Sequence, residues 1–156
     1  VSNLGEYITI CFWVKTTTND ADARIIIDDS NRPDFSTSTW AGYYIYLQNG
    51  KIGATLGVQY SGALSYRSGG VLTNTFISDG NWHHVAATYD GFTKLIYVDG
   101  VEQNNRAITG ALIITSTTLK IGAFSNPPIS HLPDLIDDVA IWNRALTAAE
   151  VFDLFN

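Results

Sequence analysis

Short stretches of alternating apolar and polar residues recur along the chain, each closed by turn residues. These stretches are rich in Ile, Val, Thr and Tyr, whose side chains pack well on a pleated surface. The pattern predicts strands at Tyr7–Thr16, Ala23–Asp28, Tyr43–Gln48, Lys51–Gln59, Val71–Phe76, Trp82–Tyr89, Lys94–Val98, Leu119–Phe124 and Leu135–Trp142. Their spacing is typical of an all-β antiparallel β-sandwich. With no internal repeat and no change in composition, we expect one domain over residues 1–156.

Three dipeptides predict tight hairpin turns. Asn49-Gly50 separates two predicted strands, and Asp90-Gly91 and Asp99-Gly100 bracket a third. These residue pairs tolerate the positive φ of turns whose twist matches the flanking strands. The three turns therefore predict antiparallel pairing of the strands that they join.

One helix is predicted at the end of the chain. Thr147-Ala148-Ala149-Glu150 has the form of a capping box, in which the Thr hydroxyl and the Glu carboxylate bond backbone N–H groups of the first turn. Val151, Leu154 and Phe155 follow at helical spacing. We expect them to hold a short helix against the sandwich, over a sheet edge or end.

Composition and charge narrow the classes of partner. Nine basic and fifteen acidic residues give a formal charge of −6, and an acidic chain lacks the basic surface that nucleic acid requires. We expect no membrane insertion, since no apolar run reaches the ~18 residues that would cross a bilayer. The single Cys11, within an apolar run, is predicted to be buried and inert. Because the chain has no Met, we expect a processed product or a piece of a longer protein.

Four segments together resemble one family. They are the opening strand Tyr7–Lys15, the two halves of a central hairpin, Trp82–Gly91 and Leu95–Gly100, and the closing strand Leu135–Leu146. In this combination they resemble laminin-G-like jelly rolls of the concanavalin A-like lectin/glucanase superfamily. The family usually begins with a further strand carrying an acidic segment, whereas here only Val1–Glu6 precedes the first predicted strand. That strand is cut off, supplied by another part of the protein, or absent.

Catalysis is not expected, although the superfamily includes glycoside hydrolases. Those enzymes need two facing carboxylates, about 5–9.5 Å apart. Glu6, Glu102 and Glu150 lie in three unrelated segments. The adjacent pairs Asp28-Asp29 and Asp137-Asp138 would point to opposite faces of a strand. His83 and His84 would diverge in the same way, so they are not expected to chelate one ion.

A structural Ca²⁺ is one solution to the acidic pair Asp137-Asp138. On an alternating strand, one of these two acids would face the sandwich interior, where an unpaired carboxylate is costly. Oxygen ligation of a hard cation, or hydrogen bonds from backbone N–H groups, would each satisfy that carboxylate. The resemblance implies that the first Asp of this motif can help to bind Ca²⁺. The segment that precedes the first strand in the family would carry further ligands, and backbone carbonyls around Asn3–Gly5 or in the Ser125–Ser130 loop are the expected substitutes here.

Ligand binding is expected at aromatic residues of the long loops and nearby strands. Sugars stack on aromatic rings while amide, carboxylate or guanidinium groups hold their hydroxyls. The candidates for this role are Trp40, Tyr44, Tyr60, Tyr66, Arg67 and Asn126. Three further tryptophans lie in predicted strands and are expected to pack in the core, namely Trp13, Trp82 and Trp142.

The expected function is a non-catalytic carbohydrate-binding or adhesion module of a larger extracellular, cell-surface or virion protein. Its expected partners are a glycan or cell-surface polysaccharide and other domains of the same parent protein. The alternative is an assembly jelly roll of a phage or surface-layer protein that binds no sugar. The two differ in self-association and in a sugar-dependent thermal shift.

Overall fold

The computed structural model describes residues 7–30, 41–60, 63–67, 70–113, 115, 118–123 and 131–156, with residues 60 and 63–67 as backbone only. Twelve strands and one helix lie within these ranges: β1 Ile8–Lys15, β2 Arg24–Ser30, β3 Gly42–Gln48, β4 Lys51–Tyr60, β5 Ala63–Arg67, β6 Val71–Leu72, β7 Trp82–Tyr89, β8 Thr93–Val98, β9 Val101–Ala107, β10 Ala111–Leu112, β11 Lys120–Ile121, β12 Leu135–Trp142 and α1 Ala148–Phe155.

The strands form two antiparallel sheets, as the sequence predicts. The five-stranded sheet has the order β12-β1-β7-β8-β9. The seven-stranded sheet has the order β10-β4-β3-β2-β11, with β5 and β6 also paired to β4. The first and last long strands are neighbours, because β1 pairs with β12 on one side and with β7 on the other.

The core lies between the sheets and is built by alternation along each strand. On β1, Ile8, Ile10, Phe12 and Val14 all point inward and are at most 1% exposed. They meet a matching set from β3 and β4 on the facing sheet, which includes Ile45, Leu47, Ile52 and Leu56. The intervening residues of β1 face the opposite side of the sheet, toward α1.

Three short or polar strands escape the sequence pattern, and two predicted strands are too long. β9 was not predicted because most of its residues, VEQNNRA, are exposed and show no apolar alternation. β5 and β10 were also missed. The predicted strands Val71–Phe76 and Leu119–Phe124 shrink to the two-residue strands β6 and β11 within the described residues. Short pairings of this kind depend on a neighbouring strand more than on their own residues.

Two of the three predicted tight turns are confirmed. Asn49 and Gly50 have φ of 50° and 67°, and Asp99 and Gly100 have φ of 50° and 74°. Positive φ at both central residues is the geometry of a type I′ hairpin. The third turn is different, because β7 and β8 are joined by three residues, Asp90 to Phe92. There the Asp90 carboxylate accepts hydrogen bonds from the N–H groups of Phe92 and Thr93.

Candidate functional site: a groove beside the terminal helix

The terminal helix lies on the outer face of the five-stranded sheet, the face turned away from the core. Its predicted capping box is present: the Thr147 side chain accepts from Glu150 N, and the Glu150 carboxylate accepts from Thr147 N at 2.8 Å. Val151 is fully buried, in a small second cluster with Cys11, Ala86, Tyr97 and Leu146. The helix therefore begins where the sequence predicts and packs through one buried side chain.

A single threonine of β1 anchors the segment that joins β12 to α1. The buried Thr9 hydroxyl donates to Arg144 O at 2.8 Å and accepts from Leu146 N at 2.8 Å. These bonds satisfy two backbone groups that would otherwise be orphaned as the chain turns from strand to helix. A residue near the start of the sequence, Thr9, therefore fixes the position of a helix near its end.

A bulge in β12 turns its acidic pair outward. Cys11 pairs with Ala140 and Trp13 pairs with Asp137, so β12 holds one more residue than β1 between these two pairs. Asp138, in that interval, has a φ of 47°. Such an insertion breaks the alternation and re-aims the side chains around it. Both Asp137 and Asp138 are exposed, so the expectation that one of them faces the sandwich interior is wrong.

The bulged strand β12, its neighbour β1 and the helix α1 together line a groove, which we call the α1 groove. Its larger part is a cavity of about 340 Å³ lined by Cys11, Trp13, His84, Asp138, Val139, Ala140, Trp142 and Leu154. A second part of about 240 Å³ is lined by Trp142, Arg144, Leu146, Glu150, Asp153 and Leu154. The two parts share Trp142 and Leu154. The larger part alone reaches the lower end of the ~300–1,000 Å³ range of small-molecule sites.

The tryptophans of the groove are only partly buried, contrary to the expectation that they belong to the core. Trp13 and Trp142 alternate with inward-facing residues of β1 and β12, so both rings point to the outer face and both are half-buried. Trp82 departs furthest from that expectation, with 40% of its surface exposed at the start of β7. It pairs with Lys15 and does not line the groove.

His84 forms part of the groove floor in a neutral state. Its ring packs against those of Trp13, at a centroid distance of 5.4 Å, and Phe155, at 6.5 Å. Burial lowers the pKa of His84, against a weaker opposing effect from the charge of Asp99. Its Nδ1 is buried and has no hydrogen-bond partner within the described residues. The imidazole therefore contributes a flat ring and no positive charge.

His83 points the other way and does not take part in the groove. Its Nδ1 lies 2.8 Å from Asp99 Oδ2, and its Nε2 lies 3.2 Å from Asp79 Oδ1. Burial disfavours the charged ring, but the hydrogen bonds and charges of the two carboxylates outweigh it and raise the pKa of His83. Asp99 also accepts from His84 N, which ties the β8–β9 turn to β7. This cluster is a structural clasp, in line with the expected divergence of the two histidines.

At the far end of the groove, Arg144 and Glu150 form a two-bond ion pair. The guanidinium donates to both carboxylate oxygens, at 2.9 and 2.7 Å. Hydrogen bonds from Arg144 and from the Thr147 backbone hold the pKa of Glu150 down, at about 2. Asp138 and Asp153 are both exposed and complete the charged groups of the groove.

Comparison with known proteins agrees with this architecture. A laminin-G-type family model described as the concanavalin A-like lectin/glucanases superfamily matches residues 2–152. The chain belongs to this superfamily. No match was found among curated proteins.

Several solved structures share the fold of this laminin-G-type domain. The binding domain of Paraclostridial Mosquitocidal Protein 1 is 20% identical, with a TM-score of 0.67 over 99% of the chain. The binding domain of botulinum neurotoxin DC in complex with SialylT is 19% identical, with a TM-score of 0.67 over 96% of the chain. Domains LG4-5 of the mouse laminin α1 chain are 18% identical, with a TM-score of 0.64 over 95% of the chain. The chain spans only 38%, 35% and 38% of these three structures.

Of the ligand residues predicted from sequence, the described structure places the side chain of Tyr44 and the backbone of the paired strands β4 and β5, which carry three others. Tyr44 is 3% exposed and packs with Ile25 and Tyr46, so its ring offers no face to a sugar. Three of the candidates lie on strands described as backbone only: Tyr60, Tyr66 and Arg67. Trp40 and Asn126 lie outside the described residues. The rings of the α1 groove were missed because tryptophans at strand positions were assigned to the core.

Calcium binding stays a prediction for this domain. Among the described residues, no group of three or more His, Cys, Asp or Glu side chains is placed to hold a metal ion. Asp137 Oδ1 instead accepts a hydrogen bond from Asp138 N at 2.9 Å. The further ligands expected from Asn3–Gly5 and Ser125–Ser130 lie outside the described residues.

Three other carboxylates, Asp28, Asp29 and Glu102, lie outside the α1 groove, and two of them accept hydrogen bonds from neighbouring side chains. Asp28 and Asp29 are both buried at the end of β2, where they accept hydrogen bonds from Ser30 at 2.6 Å and Thr115 at 2.8 Å. Burial, with the charges of these two aspartates, raises the pKa of the neighbouring Tyr43. Glu102 lies exposed on the edge strand β9.

Within the described ranges, no helix has both the length and the apolar character needed to span a bilayer.

Proposed function

We propose that this domain is a non-catalytic module that binds a glycan in the α1 groove. The observation that carries the proposal is the pair of half-buried tryptophan rings, Trp13 and Trp142, lining one cavity beside the exposed carboxylate of Asp138. Aromatic rings with one accessible face and one packed face are rigid platforms, and such rings are enriched where proteins bind partners. A carboxylate beside them can accept hydrogen bonds from sugar hydroxyls.

Packing and hydrogen bonds hold the side chains that line the groove, which favours binding with little reorganisation. Trp13 is packed against His84 and against Phe155, at centroid distances of 5.4 and 6.0 Å. The helix that forms the opposite wall is held by Thr9 and by its capping box. Preorganisation of this kind lowers the entropic cost of holding a ligand.

Relatives of the same fold support a binding role. Two of the similar structures are named as binding domains of larger proteins, and one of them was solved in complex with SialylT. We also propose that the chain is part of a larger extracellular, cell-surface or virion protein. Other domains of that protein would then be further partners.

The test compares two tryptophans of the same sheet. Wild type, Trp142→Ala and Trp82→Ala are screened on a glycan array, and bound glycans are then titrated by calorimetry. We expect Trp142→Ala to weaken glycan binding at least tenfold. Trp82→Ala, which removes an exposed ring outside the groove, should bind like wild type.

Two results would reject glycan binding in the α1 groove, and a third would reject the non-catalytic part of the proposal. One is the absence of binding by wild type to any glycan, combined with self-association by light scattering, which would favour the assembly role. The other is a loss of affinity in Trp82→Ala with none in Trp142→Ala, which would place the site elsewhere. Release of new reducing ends from a bound glycan would show that the module is catalytic.

A further inference from the structure

The charge of the α1 groove restricts which glycans it can hold, an inference that rests on the proposed function. Four side chains along the groove carry formal charge: Asp138, Arg144, Glu150 and Asp153. Arg144 and Glu150 cancel, because the guanidinium donates two hydrogen bonds to that carboxylate. Asp138 and Asp153 are then left as the uncompensated charges, and both are exposed to an incoming ligand.

The remaining basic group of the groove does not offset these carboxylates. His84 lines the larger cavity, packs against the rings of Trp13 and Phe155, and is 2% exposed. A buried imidazole of this kind is neutral, because desolvation disfavours its charged form. Among the described residues, the groove therefore presents negative charge and aromatic faces, and no free positive charge.

Both features attract cations and oppose anions. The face of a tryptophan ring carries negative electrostatic potential and draws ammonium groups, most strongly where water is partly excluded. Trp142 lines both parts of the groove, and each part also contains one of the two carboxylates, Asp138 in the larger part and Asp153 in the smaller part. A sulfate, uronate or sialate in the same place would meet like charge, and the one cation among the described groove residues, Arg144, is already paired with Glu150.

We propose that the α1 groove selects glycans that carry free amino groups, such as glucosamine oligosaccharides, and rejects acidic glycans. The sugar rings stack on Trp142 and Trp13, while the ammonium groups lie near Asp138 and Asp153. Because these contacts are partly exposed to solvent, each contributes modestly, and we expect about a three- to tenfold preference for the amine over its neutral N-acetyl counterpart.

The experiment uses three probes of equal length on the same protein. Glucosamine oligosaccharides, N-acetylglucosamine oligosaccharides and heparin oligosaccharides are titrated by calorimetry at pH 6 and low salt, where carboxylates are ionised and sugar amines are protonated. We expect the affinity to fall in that order, with no measurable binding of heparin. The preference for the amine should shrink as salt is raised, because exposed charge pairs are screened.

The variants isolate charge from shape. Asp138→Asn combined with Asp153→Asn removes both charges at nearly constant volume, and asparagine tolerates the left-handed backbone of position 138. We expect this double variant to lose most of the preference for the amine, keeping only the part that the ring face of Trp142 contributes. Asp22→Asn removes an exposed charge outside the groove and should keep the wild-type preference.

The outcomes separate the two proposals. Equal binding of the amine and N-acetyl probes by wild type would overturn the selectivity. Heparin binding that Trp142→Ala abolishes would also overturn it, while leaving the glycan-binding role in place. Failure of all three probes and of the wider array would reject the proposed function itself.

Discussion

The two faces of β1 differ in what they contribute to the molecule. On the inner face, Phe12 and Val14 are fully buried between the two sheets. On the outer face, Cys11 is buried beneath the helix, whereas Trp13 keeps part of its surface open in the α1 groove. The same strand thus stabilises the sandwich with one set of side chains and lines a cavity with the other.

The contrast shows where binding surface is available in a sandwich. Inner-face positions are surrounded by close-packed side chains, so their substitution is felt mainly as lost stability. Among the described residues, the outer face is covered by one eight-residue helix, which cannot bury all of β12, β1 and β7. Incomplete cover leaves aromatic rings beside polar groups at the edge of the helix. We therefore expect ligand binding where the helix leaves part of the outer face of the sheet uncovered.

The largest expected effect comes from the inner face. Phe12→Ala removes a fully buried ring from the main core and leaves a cavity behind. We expect a loss of about 3–5 kcal/mol in the free energy of unfolding, measured by urea denaturation. Trp82→Ala, on the exposed side of the same sheet, is the matched control and should change stability far less. Similar losses in both variants would remove the distinction between the faces.

A smaller loss is expected at the junction of the outer face with the helix. Thr9→Val keeps the shape of the side chain but leaves Arg144 O and Leu146 N without their partner. We expect a cost of about 1–3 kcal/mol in stability, because buried polar groups are left unsatisfied. Faster hydrogen exchange of the α1 amides would show that the anchor is local. Unchanged stability and exchange would mean that Thr9 does not position the helix.

The smallest effect concerns pH and the clasp on β7. Because the pKa of His83 is raised in the folded state, protonation of this ring stabilises the fold. The contribution is complete below the unfolded value of about 6.5 and is lost as pH rises through the folded value. The stability difference between wild type and His83→Gln should therefore be larger at pH 5.5 than at pH 9. Thermal melts at the two pH values measure it.

A second variant makes the pH test specific. Asp99→Asn removes a carboxylate that accepts from the His83 ring and from the His84 backbone. In that background, the pH-dependent part of the His83→Gln effect should shrink. A pH dependence that persists unchanged would show that the Asp99 clasp does not control the titration.

Much of the fold could be predicted because it rests on local signals. The bounds of β7 and β12 are the same in the sequence pattern and in the structure. The helix begins at the predicted capping box, and Cys11 is buried as expected, with burial raising the pKa of its thiol to about 11. The edge strand β9 was missed because its sequence has no alternation of apolar and polar residues. Its pairing is supplied by β8.

The candidate site could be predicted far less well, for a related reason. Trp82 has the same strand context as Trp13, yet it is 40% exposed, while Trp13 is covered in part by α1 through Phe155. Periodicity shows which residues share a face, but it does not show what lies over that face. How much of a ring is buried depends on where α1 packs, and α1 lies more than one hundred residues after Trp13 in the sequence.

By itself, the sequence determined two antiparallel sheets, their principal hairpins and the start of the helix, because each follows from backbone periodicity or a local turn. The tertiary structure alone decided the outward turn of Asp137 and Asp138, the half-burial of Trp13 and Trp142 and the charge left in the groove between them. The physical reason is that a bulge arises from the register of two paired strands. Exposure likewise depends on the second layer that packs above them.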